Sequence, residues 1–256
     1  MKFKLLSLFL VFVSFSVSAQ EESLKSKWIS PIKIDGELTD WKDTLSYYYD
    51  KQDMKYSVAN DGEYLYISIQ IPNRIQQLKA INSGFSISVN TDLKEKDGPT
   101  VVFPIPDVAA VRAMNSNEDY EKKADRRQAG LDMVRAIYVH NFEGIVDGRI
   151  SLQNHYGIKT AIKIDSADVL NYEAAISLKQ LKIDKNKPFA LNLRINEIIL
   201  SRYTDPGSMM GSYGYPYYGR DRYYRDPYGR RPAGRSGTVA KAVPGVWHII
   251  ELSSPD

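Results

Sequence analysis

Tyr64-Leu65-Tyr66-Ile67-Ser68-Ile69-Gln70-Ile71 is a run in which two kinds of side chain alternate. The odd-numbered positions are all Leu or Ile, and the even-numbered positions are Tyr, Ser or Gln. Successive side chains of an extended chain point to opposite faces, so one face of this run is apolar. An antiparallel strand that packs on one side has this pattern. The stretch therefore predicts a β-strand with one face in a core.

The same alternation recurs along the chain. Further strands are predicted at 28–34, 54–59, 85–89, 101–105, 133–142, 149–155, 158–164, 172–178, 191–195 and 246–252. Turn signals that contain Gly separate several of them, such as Asn60-Asp61-Gly62 and Asp147-Gly148. About ten short strands with such turns are typical of a sandwich. We predict a mainly all-β fold, an antiparallel β-sandwich.

Two insertions interrupt the strand pattern. Residues from about 107 to 132 include Ser116 and Asp119, a weak capping-box variant, before a stretch rich in Lys, Arg, Glu, Asp and Ala. This predicts one inserted surface helix. Residues from about 203 to 243, here called the Tyr/Arg loop, combine eight Tyr with Gly, Arg and Pro and few aliphatic side chains. Such a segment buries too little apolar surface to offset its ordering entropy, which predicts a long disordered loop.

The N-terminus has the three parts of a secretory signal peptide. Lys2 and Lys4 precede an apolar run from 5 to 17, and small residues follow up to Ala19. We predict a signal peptide at 1–19, a single mature domain at 20–256, and export to the periplasm or beyond. No later stretch reaches the roughly 18 apolar residues of a transmembrane helix.

Composition excludes some kinds of site. The chain has no Cys, so it has no disulfides, no Cys-ligated metal and no lipidated Cys. The net charge is +3, and seven basic residues against three acidic ones lie between Tyr203 and Lys241. Positive charge concentrated in one loop does not predict a nucleic-acid partner, which needs a basic folded face. The oligomeric state is left open.

Three motifs carry a family resemblance. They are Ile34-Asp35-Gly36-Glu37-Leu38-Thr39-Asp40-Trp41, then Asn60-Asp61-Gly62-Glu63-Tyr64-Leu65-Tyr66, then Tyr172-Glu173-Ala174-Ala175-Ile176-Ser177-Leu178-Lys179-Gln180-Leu181. In this order and spacing they resemble the carbohydrate-binding module family 9-like domains, relatives of the DOMON sandwiches, over about residues 28 to 252. The resemblance implies an antiparallel sandwich that binds sugars or, in DOMON-type members, haem.

The first motif is interpreted as structural. Trp41 is expected to pack over one end of the core, with Asp35, Gly36 and Asp40 forming its turn. A sugar-stacking role for Trp41 is the alternative. Glu173 is expected to point outward from its strand.

Candidate ligand contacts come from residues with flat rings or planar polar groups. Tyr47, Tyr48 and Tyr49 offer rings in a loop-like setting, and Arg194, Asn196 and Glu197 offer donors and acceptors. Trp28 and Trp247 are assigned to the core or a sheet surface. The Tyr/Arg loop adds an accessory set for a saccharide or an anionic polymer: Tyr217, Tyr218, Arg220, Tyr223, Tyr224 and Arg225.

No cofactor is predicted, although two remain open. Asp92, Glu95 and Asp97 form weak calcium candidates in a loop, where an acidic turn is the alternative. A haem needs an axial pair, and Met54 with His140 or His248 is the pair left open as a minor alternative.

The sequence favours a non-catalytic chain without settling the matter. No pair of carboxylates is marked as acid and base, and no nucleophile elbow or phosphate loop is present. If the chain works with an enzyme, glycoside hydrolysis is the expected context. We expect an exported saccharide-binding domain. The alternatives are an envelope interaction protein that uses the Tyr/Arg loop, and a haem-binding electron-transfer domain.

Overall fold

The computed structural model describes residues 23–41, 45–106, 126–196 and 244–255. Within them the strands are β1 Leu24–Lys25, β2 Lys27–Trp28, β3 Tyr47–Tyr49, β4 Met54–Asn60, β5 Tyr64–Ile71, β6 Phe85–Asn90, β7 Thr100–Pro106, β8 Val134–His140, β9 Gly148–Ser151, β10 Ile158–Ile164, β11 Leu170–Ser177, β12 Phe189–Ile195 and β13 Val246–Glu251. The helices are α1 Arg74–Ser83 and α2 Arg126–Asp132, with short 3-10 helices at Leu38–Trp41 and Asp50–Gln52.

The strands form two sheets, which confirms the predicted mainly all-β sandwich. The larger sheet has the order β1-β13-β12-β6-β7-β8-β9. The smaller sheet has the order β10-β11-β5-β4-β2, with β3 also paired to β4. All pairs are antiparallel except β1 with β13 and β2 with β4.

The core lies between the inner faces of the two sheets. Leu65, Ile67 and Ile69 of β5 are 0% exposed, as their alternation predicts. Tyr172 of β11 meets Phe85 of the opposite sheet with ring centroids 4.8 Å apart. Aromatic and β-branched side chains thus fill the space between the sheets.

The N-terminal chain crosses between the sheets at Ser26. β1 belongs to the larger sheet and β2 to the smaller one, so Ser26 is the step between them. Its N–H donates to the carbonyl of Glu251 at 2.9 Å, and its hydroxyl donates to Oδ1 of Asn60. The N–H of Ser253 in turn donates to the Ser26 hydroxyl at 3.0 Å. This seam joins both sheets along one side of the sandwich.

Two elements differ from the sequence-based expectation. Of the strand predicted at 28–34, only Trp28 lies in a strand, the two-residue β2, and residues 29–34 instead cross the outer face of the smaller sheet. Helix α1 was not predicted. Asn73 caps it by accepting from the N–H groups of Ile75 and Gln76, and Ala80 with Ile81 enters the core.

Helix α2 is the described part of the predicted helical insertion, and residues 107–125 lie outside the described residues. Its Arg127 is 5% exposed and contacts both Gln77 of α1, at 2.5 Å, and the carboxylate of Asp168, at 2.7 Å. The helix is therefore tied to α1 and to the β10–β11 turn. No helix in the described ranges is long and apolar enough to cross a membrane.

Candidate functional site

The three consecutive tyrosines form β3, beside the first half of β4, and their side chains alternate. Tyr49 is 9% exposed, and its hydroxyl donates to the carbonyl of Pro244 at 2.6 Å. Tyr47 packs against Tyr56, with ring centroids 5.5 Å apart. Tyr48 points the other way and is 57% exposed. Of the three, Tyr48 presents its ring to solvent.

The ring of Tyr48 is held at its polar end. Its hydroxyl donates to Oδ1 of Asp53 at 3.0 Å, and this hydrogen bond raises the pKa of the phenol above its usual value. Asp53 is fixed in turn, because its N–H donates to the carbonyl of Asp50 at 3.2 Å. An aromatic face with a fixed edge, beside the carboxylates of Asp53 and Asp50, is suited to stacking on a sugar ring.

Arg194 and Asn196 lie on the outer face of the larger sheet and already have protein partners. The guanidinium of Arg194 makes two hydrogen bonds to Asp97, at 2.9 and 3.4 Å. The amide of Asn196 donates to the carbonyl of Ser83 at 3.0 Å and accepts from the Ser86 hydroxyl at 2.8 Å. These contacts fix both planar groups at the end of β12.

Contacts from the 3-10 helix at Asp50–Gln52 link β3 to the same end of β12. The side chain of Gln52 donates to the carbonyl of Ile195 and accepts from its N–H, each at 2.8 Å. Tyr49 holds Pro244, which precedes β13. The structure therefore brings Tyr48, Arg194 and Asn196 to one end of the sandwich, on different faces of it. They do not form one cluster.

Several predicted contacts lie outside the described residues. Glu197 and the Tyr/Arg loop residues belong to 197–243, which the structure does not describe. The flanking strands are described: β12 ends at Ile195, and β13, its antiparallel neighbour, begins at Val246. The described chain thus stops after β12 and resumes before β13 at one place, beside Arg194.

A buried glutamate connects two of the family-like motifs. Glu173, 0% exposed on the outer face of β11, accepts hydrogen bonds from the N–H groups of Asp35 and Gly36 at 3.0 and 2.7 Å. Its other oxygen accepts from the indole N–H of Trp41 at 2.8 Å. Trp41 is 7% exposed and packs on Tyr66 and its neighbours. The first motif is therefore fastened onto the smaller sheet by the glutamate of the third.

Burial and hydrogen bonding shift the pKa of Glu173 in opposite directions. Loss of hydration raises the pKa of its carboxyl, and the donors from Trp41, Gly36 and Asp35 reduce that rise. The aspartates serve the turn: Asp35 accepts from the N–H of Glu37 at 2.9 Å, and Asp40 from that of Lys33 at 3.2 Å. Glu173 does point outward from its strand, but the segment before Trp41 covers it. The alternation of residues in β11 does not predict that another segment covers this side chain.

The calcium candidates lie in the hairpin between β6 and β7. Asp92 pairs with Lys94 at 3.2 Å, Asp97 pairs with Arg194, and Glu95 is exposed. Two of the three carboxylates therefore meet a cation of the chain. In the described ranges no three or more His, Asp or Glu side chains are grouped as metal ligands.

Of the residues considered for a haem, Met54 and His248 face the interior between the sheets, whereas His140 faces outward. Met54 is 0% exposed in the core. The Nδ1 of His140 lies 2.6 Å from Asp147, on the outer face of the larger sheet, and His248 meets the hydroxyl of Tyr56 between the sheets.

One exposed aromatic was not among the predicted site residues. Trp28 is 40% exposed, whereas Trp41 is buried and Trp247 is half-buried. Its position in a predicted strand among apolar neighbours indicated a core or sheet residue. Trp28 lies in a strand of only two residues, and no feature of the sequence predicts that the strand is so short.

Comparisons with known proteins do not show a family for this chain. No family model matches the chain, and no curated protein matches its sequence. Among solved structures, the chain is similar to a candidate carbohydrate-binding protein from Bacteroides uniformis, with a TM-score of 0.34 and 9% sequence identity. That similarity covers 70% of this chain and 84% of the other. A TM-score and an identity this low do not place the two chains in one family.

Proposed function

We propose that this chain is an exported, non-catalytic domain that binds saccharide. The observation that carries the proposal is Tyr48, a ring 57% exposed whose hydroxyl is fixed by Asp53. A pyranose offers an apolar face of C–H groups and a rim of hydroxyls, which matches an exposed ring beside two carboxylates. The motif order that resembles family 9-like domains supports the same ligand class.

Export rests on the leader at 1–19. Expression of the whole chain in a Gram-negative host tests it, with mass spectrometry of the exported protein. Cleavage between Ala19 and Gln20 is expected. A product that keeps Met1 and remains in the cytoplasm would contradict export.

The saccharide site is tested by a pair of substitutions at one position. Purified chain is titrated with neutral hexasaccharides of β-1,4-linked glucose, xylose or mannose, and its binding to the corresponding insoluble polysaccharides is measured. Tyr48→Phe keeps the ring and should bind nearly as the parent does. Tyr48→Ala removes the ring and should weaken binding roughly tenfold or more. Equal binding by the parent and Tyr48→Ala would remove Tyr48 from the site, and no binding by the parent would reject the ligand class.

A second function is favoured by where the Tyr/Arg loop attaches. The described chain stops at Asn196 and resumes at Pro244, in the strand pair that holds Arg194, so the arginines of the Tyr/Arg loop would add to polar groups already fixed by the sandwich. We propose an accessory role for it in holding an anionic polymer. Deletion of residues 205–242 should weaken binding to polygalacturonate at low salt, and added salt should weaken the parent to the same level through screening. Equal binding by both forms at low salt would reject this role.

A further inference from the structure

We propose that Trp28 is a second saccharide contact, at the turn between β4 and β5. This rests on the proposed saccharide-binding function and adds a site to it. Trp side chains are highly buried on average, and Trp is enriched among the few residues that carry most of the binding energy of an interface. Trp28 is 40% exposed although it lies in a strand.

The turn beside Trp28 is rigid. Oδ1 of Asp61 accepts hydrogen bonds from the N–H groups of Glu63 and Tyr64, each at 2.8 Å, and Oδ2 accepts from the hydroxyl of Tyr66 at 2.7 Å. The adjoining N–H of Ile29 donates to the carbonyl of Asn60 at 3.0 Å. The backbone on both sides of the indole is therefore fixed before a ligand arrives, which lowers the entropic cost of binding.

Gly62 lets the indole lie against this turn. Its φ is +84°, and a Cβ at this position would come within 3.1 Å of the indole ring of Trp28. The ammonium of Lys185 lies 3.7 Å from the same point. A flat apolar ring and a strong hydrogen-bond donor thus adjoin one another at the turn.

The charges around the indole indicate a neutral sugar. Asp61 and Glu63 place two carboxylates in this turn, and the ammonium of Lys185 adjoins Gly62. Nearby, Asp184 is 3.4 Å from Lys187 and pairs with it. The two carboxylates would repel an acidic sugar, whereas a neutral pyranose can stack its C–H face on the indole and exchange hydrogen bonds with Lys185 and the turn.

Trp28 is separate from the Tyr48 contact. Trp28 pairs with Asn60 and Tyr48 pairs with Lys55, so five residues of β4 separate them. At about 3.3 Å per residue the separation is roughly 17 Å. The odd spacing also places the two side chains on opposite faces of the strand. A substitution at one of the two contacts should therefore leave binding at the other unchanged.

Tryptophan fluorescence distinguishes this site. The parent, Trp28→Phe, Trp28→Ala and Trp247→Phe are titrated with the same neutral hexasaccharides and with trigalacturonate, and quenching by acrylamide is measured with and without sugar. We expect the neutral sugars to protect Trp28 from quenching in the parent and in Trp247→Phe. We expect the protection to vanish in Trp28→Phe, and Trp28→Ala in a Tyr48→Ala background to bind roughly 30-fold more weakly than Tyr48→Ala alone.

The outcomes separate the two proposals. Binding by the parent that depends on Tyr48 but not on Trp28 overturns this site and leaves the proposed function standing. Protection of Trp28 by trigalacturonate alone overturns the neutral ligand. Self-association of the parent that Trp28→Ala abolishes, measured by sedimentation velocity without sugar, shows that the indole contacts a second copy and also overturns the site. No binding by the parent rejects both proposals.

Discussion

Glu173 is expected to be the residue whose loss detaches the first motif from the smaller sheet. Glu173→Ala leaves three donors without an acceptor in a buried place: the N–H groups of Asp35 and Gly36 and the indole N–H of Trp41. Hydrogen bonds to a charged acceptor contribute about 1.5–3 kcal/mol each, and removing one partner of a buried charged network costs about 3–5 kcal/mol. Removing the carboxylate also removes the free-energy cost of burying its charge, and this offsets part of the loss in stability.

The net loss in free energy of unfolding should be about 3 kcal/mol, which for a domain of this size lowers Tm by roughly 6–12 °C. Glu173→Gln keeps one carbonyl acceptor and should lose about half as much. Glu95→Ala, an exposed glutamate, is the matched control and should change stability by less than about 0.5 kcal/mol.

Urea unfolding followed by far-UV circular dichroism measures these differences, and fluorescence reports the packing of Trp41. In Glu173→Ala the emission of Trp41 should shift to the red before the sheets unfold, because the segment that covers the indole is released first. A Glu173→Ala variant as stable as Glu95→Ala would refute the reasoning. A red shift that coincides with global unfolding would refute the local release.

Three other predictions use different parts of the sandwich. The hydroxyl of Tyr172 is buried with no hydrogen-bond partner in the described ranges, so Tyr172→Phe should raise the urea midpoint by the equivalent of about 1 kcal/mol, and a lower midpoint would indicate a bound water. Hydrogen bonds from Arg127 and then Arg74 lower the pKa of Asp168, so its stabilising contribution is present above about pH 4, the ordinary value, and is lost as pH falls through the lowered one. The stability of Asp168→Asn should consequently fall less steeply below pH 4 than that of the parent, and parallel curves would contradict this. Deletion of 205–242 with a short Gly/Ser bridge should leave Tm within a few degrees of the parent, because long surface loops cost little; loss of folding would place part of that loop in the core.

Alternation predicted the strands well where a strand pairs along its whole length with a regular neighbour. β5, β10 and β12 were predicted within a residue or two, because the inner side chains of each face the same core. Helix α1 was missed, since its cap is a single Asn73 and its buried face includes Gln77, a polar residue that bonds to backbone carbonyls. A polar residue satisfied by tertiary contacts does not produce an apolar stripe.

The candidate site was predicted less well than the fold, for a physical reason. The roles of Tyr47 and Tyr49 depend on Tyr56 in the neighbouring strand, and on His248 and Pro244, which are close in space and distant in sequence. Exposure is likewise a property of the assembled sheets, so Tyr48 and Trp28 could not be ranked from the chain alone. Motif order, by contrast, did bring Glu173 and Trp41 to attention before their contact was known.

The seam at Ser26 has a consequence for the order of assembly. Its hydroxyl accepts from Ser253, 227 positions further along the chain, and β1 lies parallel to β13, the last strand. Closing so long a loop is entropically costly and slow relative to forming local hairpins. A chain that emerges from the ribosome N-terminus first therefore cannot form the hydrogen bonds of this seam until β13 has been made. Until then β1 has no partner in the larger sheet, and it is a segment that a chaperone would find unpaired.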